Sequence, residues 1–237
     1  MDLKESDILG ADIEHHWYYS SKAKAMTSLL QGAVPTRILD VGAGSGFFSR
    51  YLLAHTTAQE AWCVDISYQA DFDERENDKV VYYRRSVGAI DADLVLLMDV
   101  LEHVDDDVAL LKDYVDKVPR GSRFLITVPA FNFLWSEHDD FLEHKRRYSL
   151  GQLEEVVQNA GLAVKYGAYF FGIVFPIAAT LRLTQKASSE GCPVRSKLTR
   201  HHPIVNTVLK SLCNIELPLM KFNRIAGLTA FCLANKG

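Results

Sequence analysis

Three glycines at alternate positions, Gly42, Gly44 and Gly46, follow the apolar run Ile38-Leu39 and its closing acid Asp40. Glycines so spaced let the chain turn tightly and let a ligand touch main-chain amides. Phe47, Phe48, Tyr51 and Leu52 come next at helical spacing, so the N-terminus of a helix points at whatever rests on the turn. This is the chemistry of holding a bulky polar ligand. A second acid, Asp65, ends the next apolar run, AWCVD, about 20 residues on, where one bidentate carboxylate holds both hydroxyls of a ribose. A dinucleotide fingerprint needs its third glycine three residues after the second; Phe47 stands there, which disfavours a nicotinamide cofactor.

A second group of chemistry-bearing residues lies in the loop 129–148, PAFNFLWSEHDDFLEHKRRY. His138, Asp139 and His144 include a candidate proton acceptor, because a neutral imidazole has nearly the right pKa to deprotonate an attacking hydroxyl. A plainer reading gives Arg146 and Arg147 ion pairs with an acidic helix and makes the histidines loop staples. His138, Asp139, Asp140 and His144 are acceptable metal ligands without diagnostic spacing, so no metal is expected. Upstream, DVLEHVDDD holds Asp99 and His103 just after the apolar run 93–98. His103 reads equally as a pocket residue or as a helix-start residue with local hydrogen bonds.

These residues need elements to carry them. Residues 20–31 read as a first helix capped by Ser20 or Ser21, with Ala23, Met26, Leu29 and Leu30 on one face, preceded by the aromatic cluster EHHWYYS. After Asp65, SYQADFDEREND leads to the strand KVVYY with little room for a helix between. A helix over Asp105–Lys117, a strand RFLITVP, a helix opened by the capping box Ser149-x-x-Gln152 and stopped at Gly161, and strands LAVKYGAYF and LTAFCLANK follow.

On these residues the chain resembles the class I S-adenosylmethionine-dependent methyltransferases. Asp40-x-Gly42-x-Gly44-x-Gly46 is similar to their first motif, DVLEHV to the wording after their fourth strand, and LTAFCLANK to the antiparallel strand that closes their sheet. The Trp-Ser, His-Asp and Arg-Arg-Tyr of the long loop resemble members found in bacterial glycan and lipid biosynthesis. The likeness covers roughly residues 14 to 165. It implies an α/β Rossmann-like sheet of seven mostly parallel strands with an antiparallel last strand, an N-terminal helix, and an insertion before the last strand. It implies S-adenosyl-L-methionine as cofactor, contacted by Asp40, Gly42, Ala43, Gly44, Gly46, Asp65, Ile66, Asp99 and Tyr19. Where the family often puts an Asp or Asn after its third strand to meet the adenine, this chain has RRSVGAID, so Ser86 or Asp91 would have to serve. Catalysis falls to His138, His144 and His103, and acceptor contacts to Trp135, Asp139, Arg147 and Tyr148. The aromatic cluster either closes over the cofactor or staples the first helix to the domain.

The 237 residues suit one methyltransferase domain: a lid and helix over 1–35, a core over 36–170, a cap over 171–213 and the last-strand region over 214–237. With 48% hydrophobic residues, 24% charged and a net charge of -4, no nucleic-acid field is expected. Cys63, Cys192, Cys213 and Cys232 read as reduced thiols, and the acidic N-terminal segment lacks the blocks of a secretory signal, so a cytoplasmic protein is expected. Residues 167–181 carry no charge but are too short, and contain Pro176, for a span of about 20 residues. Six Lys or Arg against Glu190 between Arg182 and Lys210 would let that region lie on an anionic membrane and admit a lipid-linked acceptor. A buried helix with a solvated basic loop is the plainer alternative. The functional expectation is O-methylation of a small or lipid-linked metabolite. N- or carboxyl-methylation, and a non-catalytic module binding S-adenosylmethionine or S-adenosylhomocysteine, are the rivals; the oligomeric state is left open.

Overall fold

The computed structural model describes residues 10–30, 35–76, 78–186 and 202–237. In chain order the elements are α1 (Trp17–Leu29), β1 (Arg37–Val41), α2 (Phe47–His55), β2 (Glu60–Val64), β3 (Phe72–Glu76), β4 (Lys79–Arg84), β5 (Leu94–Met98), α3 (Asp107–Lys117) and β6 (Arg123–Pro129). Then come α4 (Glu137–Phe141), α5 (Leu150–Asn159), β7 (Leu162–Phe170), α6 (Phe175–Lys186), α7 (Pro203–Glu216) and β8 (Thr229–Lys236). The strands form one sheet in the order β3-β4-β2-β1-β5-β6-β8-β7. β4, β2, β1, β5 and β6 pair in parallel, and β8 inserts antiparallel between β6 and β7.

Alternate side chains of the central strands feed two cores. Ile38, Leu94, Leu96 and Leu125 pack beneath α1 and α2, while Leu39, Val41, Val95, Leu97 and Ile126 pack beneath α3 and α5. A parallel strand covered on both faces must be apolar throughout, and every residue of β5 is buried. Chain direction reverses its order at β1, which neighbours both β2 and β5. The crevice for a ligand therefore opens at the carboxyl ends of these strands.

The α/β sheet matches expectation, with three differences in detail. The segment after Asp65 contributes an eighth strand, β3, hairpinned onto β4; its FDERE sequence is nearly all exposed, as suits an edge whose charges discourage further pairing. The first helix begins at Trp17 with His16 as its cap residue, and Ser20 sits inside it, bonding Trp17 O. The aromatic cluster is therefore largely helical. Trp17 and Tyr18 pack on Phe171, and Trp17 N donates to Asn206 on α7, so this segment staples α1 to the domain. The third helix starts at Asp107, capped by Asp106, after a short 3-10 turn over Leu101–His103.

Residues 171–213, expected to form a cap, hold α6 and most of α7, which packs on α1. Cys192, Arg195, Lys197 and Arg200 lie outside the described residues. Cys63, Cys213 and Cys232 are buried thiols.

Candidate active site

The turn after β1 carries Gly42, Gly44 and Gly46 with φ of 64°, 53° and 70°. A Cβ on Gly42 would lie 2.7 Å from Val100 Cγ2, and one on Gly46 2.9 Å from the Tyr83 hydroxyl, so both positions need glycine for space as well as for φ. The Gly42 and Ala43 amides donate to Val64 O at 2.7 and 3.2 Å and tie the turn to β2. Asp65, just past β2, accepts from Gly44 N at 3.0 Å and from Ser67 N at 2.9 Å, and Tyr68 donates to Gly44 O at 2.7 Å. A carboxylate fixed by two amides beside an open glycine turn fits a ribose-bearing ligand. Ile66, 87% exposed, borders the same edge, and Ser86 is exposed beyond β4.

Three of the residues expected to touch the cofactor do other work. Asp40 is buried under the turn and accepts from Ser49 Oγ at 2.8 Å, bracing the start of α2; burial raises its pKa to about 6. Tyr19 is buried in the core against Phe47 and Phe48. Asp91 pairs with Arg37 at the amino end of β1, the wrong edge for an adenine contact.

At the end of β5, Asp99 adopts the left-handed region (φ 57°) and accepts from Thr127 Oγ1 at 3.1 Å. Its other oxygen pairs with Lys22, a fully buried lysine of α1 that also lies 3.4 Å from the Tyr18 hydroxyl. Burial disfavours the Lys22 charge, but Asp99 outweighs it and holds the ammonium above its ordinary range. Lys22 lies just past the aromatic cluster EHHWYYS, and a lysine on the Ala23–Met26 face of a helix is itself a signal of a buried partner.

The loop 129–148 is closed at its base, with Tyr148 N donating to Pro129 O and Phe131 N to Tyr148 O. Arg147 grips Asp139 through Nε at 2.7 Å and Nη2 at 2.9 Å, and donates to Ala130 O at 3.1 Å. Asp139 also accepts from Ser136 N and contacts His144 Nδ1 at 2.9 Å. Burial would raise the Asp139 pKa, but its hydrogen bonds and the Arg147 charge hold it far below the usual range. Lys145 N donates to Glu102 O, Arg146 to the Val104 and Asp105 carbonyls, and Tyr148 Oη to Leu101 O and Asp107 Oδ2. The loop is thereby stapled to the segment after β5.

The residues expected to contact the acceptor are hydrogen-bonded within the loop and to the segment after β5. Asp139 and Arg147 are committed to each other, Tyr148 to Leu101 O and Asp107, and Trp135 donates to Asp140 at 2.9 Å. They build the loop. Arg146 meets the acidic helix at Asp107, as the plainer reading had it, whereas Arg147 turns to Asp139.

The stapling brings His144 edge-on to His103, ring centroids 4.8 Å apart, and next to Glu102. Glu102 is completely buried and neither carboxyl oxygen has a hydrogen-bond partner; burial, then the Asp99 charge, pushes its pKa well up. His138 stands on α4 outside this group, and the set His138, Asp139, Asp140 and His144 does not converge. Glu102 went unassigned although it lies within DVLEHV, because its isolation is a tertiary fact.

A family model described as a methyltransferase domain matches residues 14–166. No curated protein matches the chain. Among solved structures it is similar to a chain of the Haloferax volcanii complex containing the Trm112 methyltransferase activator, at 14% identity and TM-score 0.58 over 99% of this chain and 94% of that one. It is similar to an S-adenosylmethionine-dependent methyltransferase from Mesorhizobium loti, at 15% identity and TM-score 0.54 over 94% and 99%. It is also similar to the plantazolicin methyltransferase BpumL, solved with a monoazolic desmethylPZN analog and S-adenosylhomocysteine, at 13% identity and TM-score 0.57 over 99% and 89%. At such identities these likenesses carry the fold.

Proposed function

Because this chain belongs to the class I S-adenosylmethionine-dependent methyltransferases, we propose that it methylates an oxygen of a small or lipid-linked metabolite, such as a sugar hydroxyl, a phenol or a prenyl-type precursor. The observation that carries the reading is the meeting of His144 with Glu102 and His103. They stand on the same sheet edge as Gly44 and Asp65.

Gly44 and Asp65 hold the ribose end of the cofactor, Ile66 and Ser86 border its base, and Asp99 and Lys22 stand at its amino-acid end. When bound there, S-adenosylmethionine supplies an electrophilic methyl group whose transfer leaves a neutral thioether and one acceptor proton to be removed. Proximity and alignment supply most of the rate. The proton leaves into the corner of Glu102, His103 and His144, where Asp139 occupies His144 Nδ1 and keeps the Nε2 lone pair for use. In this region the guanidiniums of Arg147 and Arg182 are already held by Asp139 and by Leu134 O, which favours a neutral hydroxyl over a carboxylate acceptor.

The lipid-linked option draws support from the cap. α6 packs on the loop through Phe175 against Phe131 and through Arg182, while Ile177 and Leu181 of the same helix are exposed. No helix among the described residues is long and apolar enough to cross a membrane. Peripheral contact would bring such an acceptor beside the loop.

Calorimetry with S-adenosylmethionine tests the donor site. Asp65→Ala should weaken binding at least tenfold while leaving the unfolding midpoint near that of wild type; unchanged affinity would remove Asp65 from the site. For the acceptor, methyl-labelled cofactor incubated with extracted metabolites should yield label on oxygen, stable to mild base. Base-labile carboxyl esters or labelled amines would overturn the O-methyl assignment.

A further inference from the structure

Glu102 poses a physical problem that methyl transfer by itself leaves unsolved. It is a carboxyl group with no exposed surface and no hydrogen-bond partner on either oxygen. A buried polar group in that state carries an uncompensated desolvation cost and calls for a partner. The neighbouring chemistry says which partner. One ligand atom each from Glu102, His103 and His144 lie within 4.8 Å of one another, and the three side chains come from two separate segments, the turn after β5 and the loop after β6. They are the residues among those described that meet in this way.

His144 is prepared as a metal ligand would be. Its Nδ1 contacts Asp139 Oδ1 at 2.9 Å, and Asp139 is itself clamped by Arg147 through two hydrogen bonds. A carboxylate on one ring nitrogen fixes the tautomer and makes the other a better electron donor. Lys145 N on Glu102 O, and the Arg146 and Tyr148 bonds to the same segment, set the two halves of the cluster in register.

We propose that Glu102, His103 and His144 bind one divalent cation of the zinc or manganese kind, with Asp139 as the positioning residue for His144. Two imidazoles and a carboxylate suit such borderline ions better than magnesium or calcium, which prefer oxygen alone. Around a four-coordinate ion, ligand atoms lie roughly 3.4 Å apart, so the three side chains draw together by an ångström or so on loading. Three protein ligands leave a coordination position open; with the cation bound, His144 Nε2 is a ligand in place of being the proton acceptor, and an acceptor hydroxyl in the open position loses its proton more easily, to solvent. That last role rests on the acceptor corner proposed above; cation binding itself does not.

The test uses the full chain, stripped with chelator and free of S-adenosylmethionine and acceptor. It is titrated separately with Zn2+ and Mn2+, and Co2+ is added to read its visible bands. One ion per chain is expected, with affinity lowered at least tenfold in Glu102→Gln and in His144→Gln. Asp139→Asn should weaken it by a similar factor through His144. Glu102→Gln is nearly isosteric, and its fold is checked by unfolding midpoint. Failure of the wild type to retain any of the three ions, or equal retention by both ligand variants, would overturn the site. Calorimetry with S-adenosylmethionine on the same metal-free sample separates the two claims: cofactor binding without cation binding sinks the cation site alone, and the reverse sinks the donor-site reading.

Discussion

Asp40 shows how a residue that looks like a ligand in the sequence acts as a brace in the fold. Its carboxyl is sealed under the glycine turn with Ser49 as partner, and its pKa stands at about 6 rather than 3.8. The folded state then keeps the proton over the range in which the unfolded chain releases it. Stability from this group is full below about pH 4, falls as pH rises to about 6, and levels off beyond. A rise of about two pKa units corresponds to about 3 kcal/mol. Asp40→Asn preserves an acceptor for Ser49 and should gain stability relative to wild type by an amount of that order between pH 4 and 7. Urea unfolding at each pH checks it; a constant difference would mean that Asp40 titrates normally. Lys22 and Asp99 obey the opposite logic, because each compensates the other's buried charge. Lys22→Met should cost about 3–5 kcal/mol, and Lys22→Met with Asp99→Asn should recover much of it in the same unfolding assay.

At the scale of elements, the loop 129–148 decides the site, and Arg147 decides the loop. Its fork on Asp139 fixes the residue that fixes His144. Arg147→Met leaves Asp139 buried without its cation, at an expected cost of about 3–5 kcal/mol, and Arg147→Lys should recover only part because one ammonium cannot replace a bidentate fork. In methyl-transfer assays kcat should fall while the affinity for S-adenosylmethionine stays within about twofold. The Asp139 pKa is depressed in the folded state, so its contribution is present above the ordinary aspartate pKa near 4 and is lost as pH falls below it. Acid unfolding should therefore differ less between pH 7 and pH 3 in Arg147→Met than in wild type. The capping box at Ser149 and Gln152, the stop at Gly161 and the strand Leu162–Phe170 were legible in sequence because each signal is local. β3 was not, since an edge strand of mostly charged residues carries no apolar period and exists only by pairing with β4.

At the scale of the whole molecule, the exposed large apolar side chains among the described residues are concentrated on α6, α7 and the segment that follows. Ile177 and Leu181 on α6, Ile204, Val208 and Ile215 on α7, and Phe222 and Ile225 beyond it are all exposed, with Lys210 and Lys221 among them. Patches of this kind mark binding surfaces more often than they occur by chance. If the acceptor is lipid-linked, the protein should float with vesicles containing anionic phospholipid and release at high salt. Ile177→Glu with Leu181→Glu should abolish flotation and leave S-adenosylmethionine binding unchanged. Failure to float would confine the acceptor to water-soluble metabolites.

The chain alone determined the donor half of this enzyme. A buried strand, a glycine turn, a helix start and Asp65 are set by spacings of a few residues, and the parallel sheet follows from apolar runs alternating with amphipathic helices. It also marked the loop 129–148 as functional by length and composition. Only the tertiary structure decided which of its residues pair with one another and which converge across segments. Asp139 and Arg147 found each other, and Tyr148 found Leu101 O and Asp107 beyond β5, which commits all three to holding the loop in place. The same closure joined His144 to His103 and to a glutamate with no partner. Burial and convergence arise between segments about forty residues apart, and no local spacing records them.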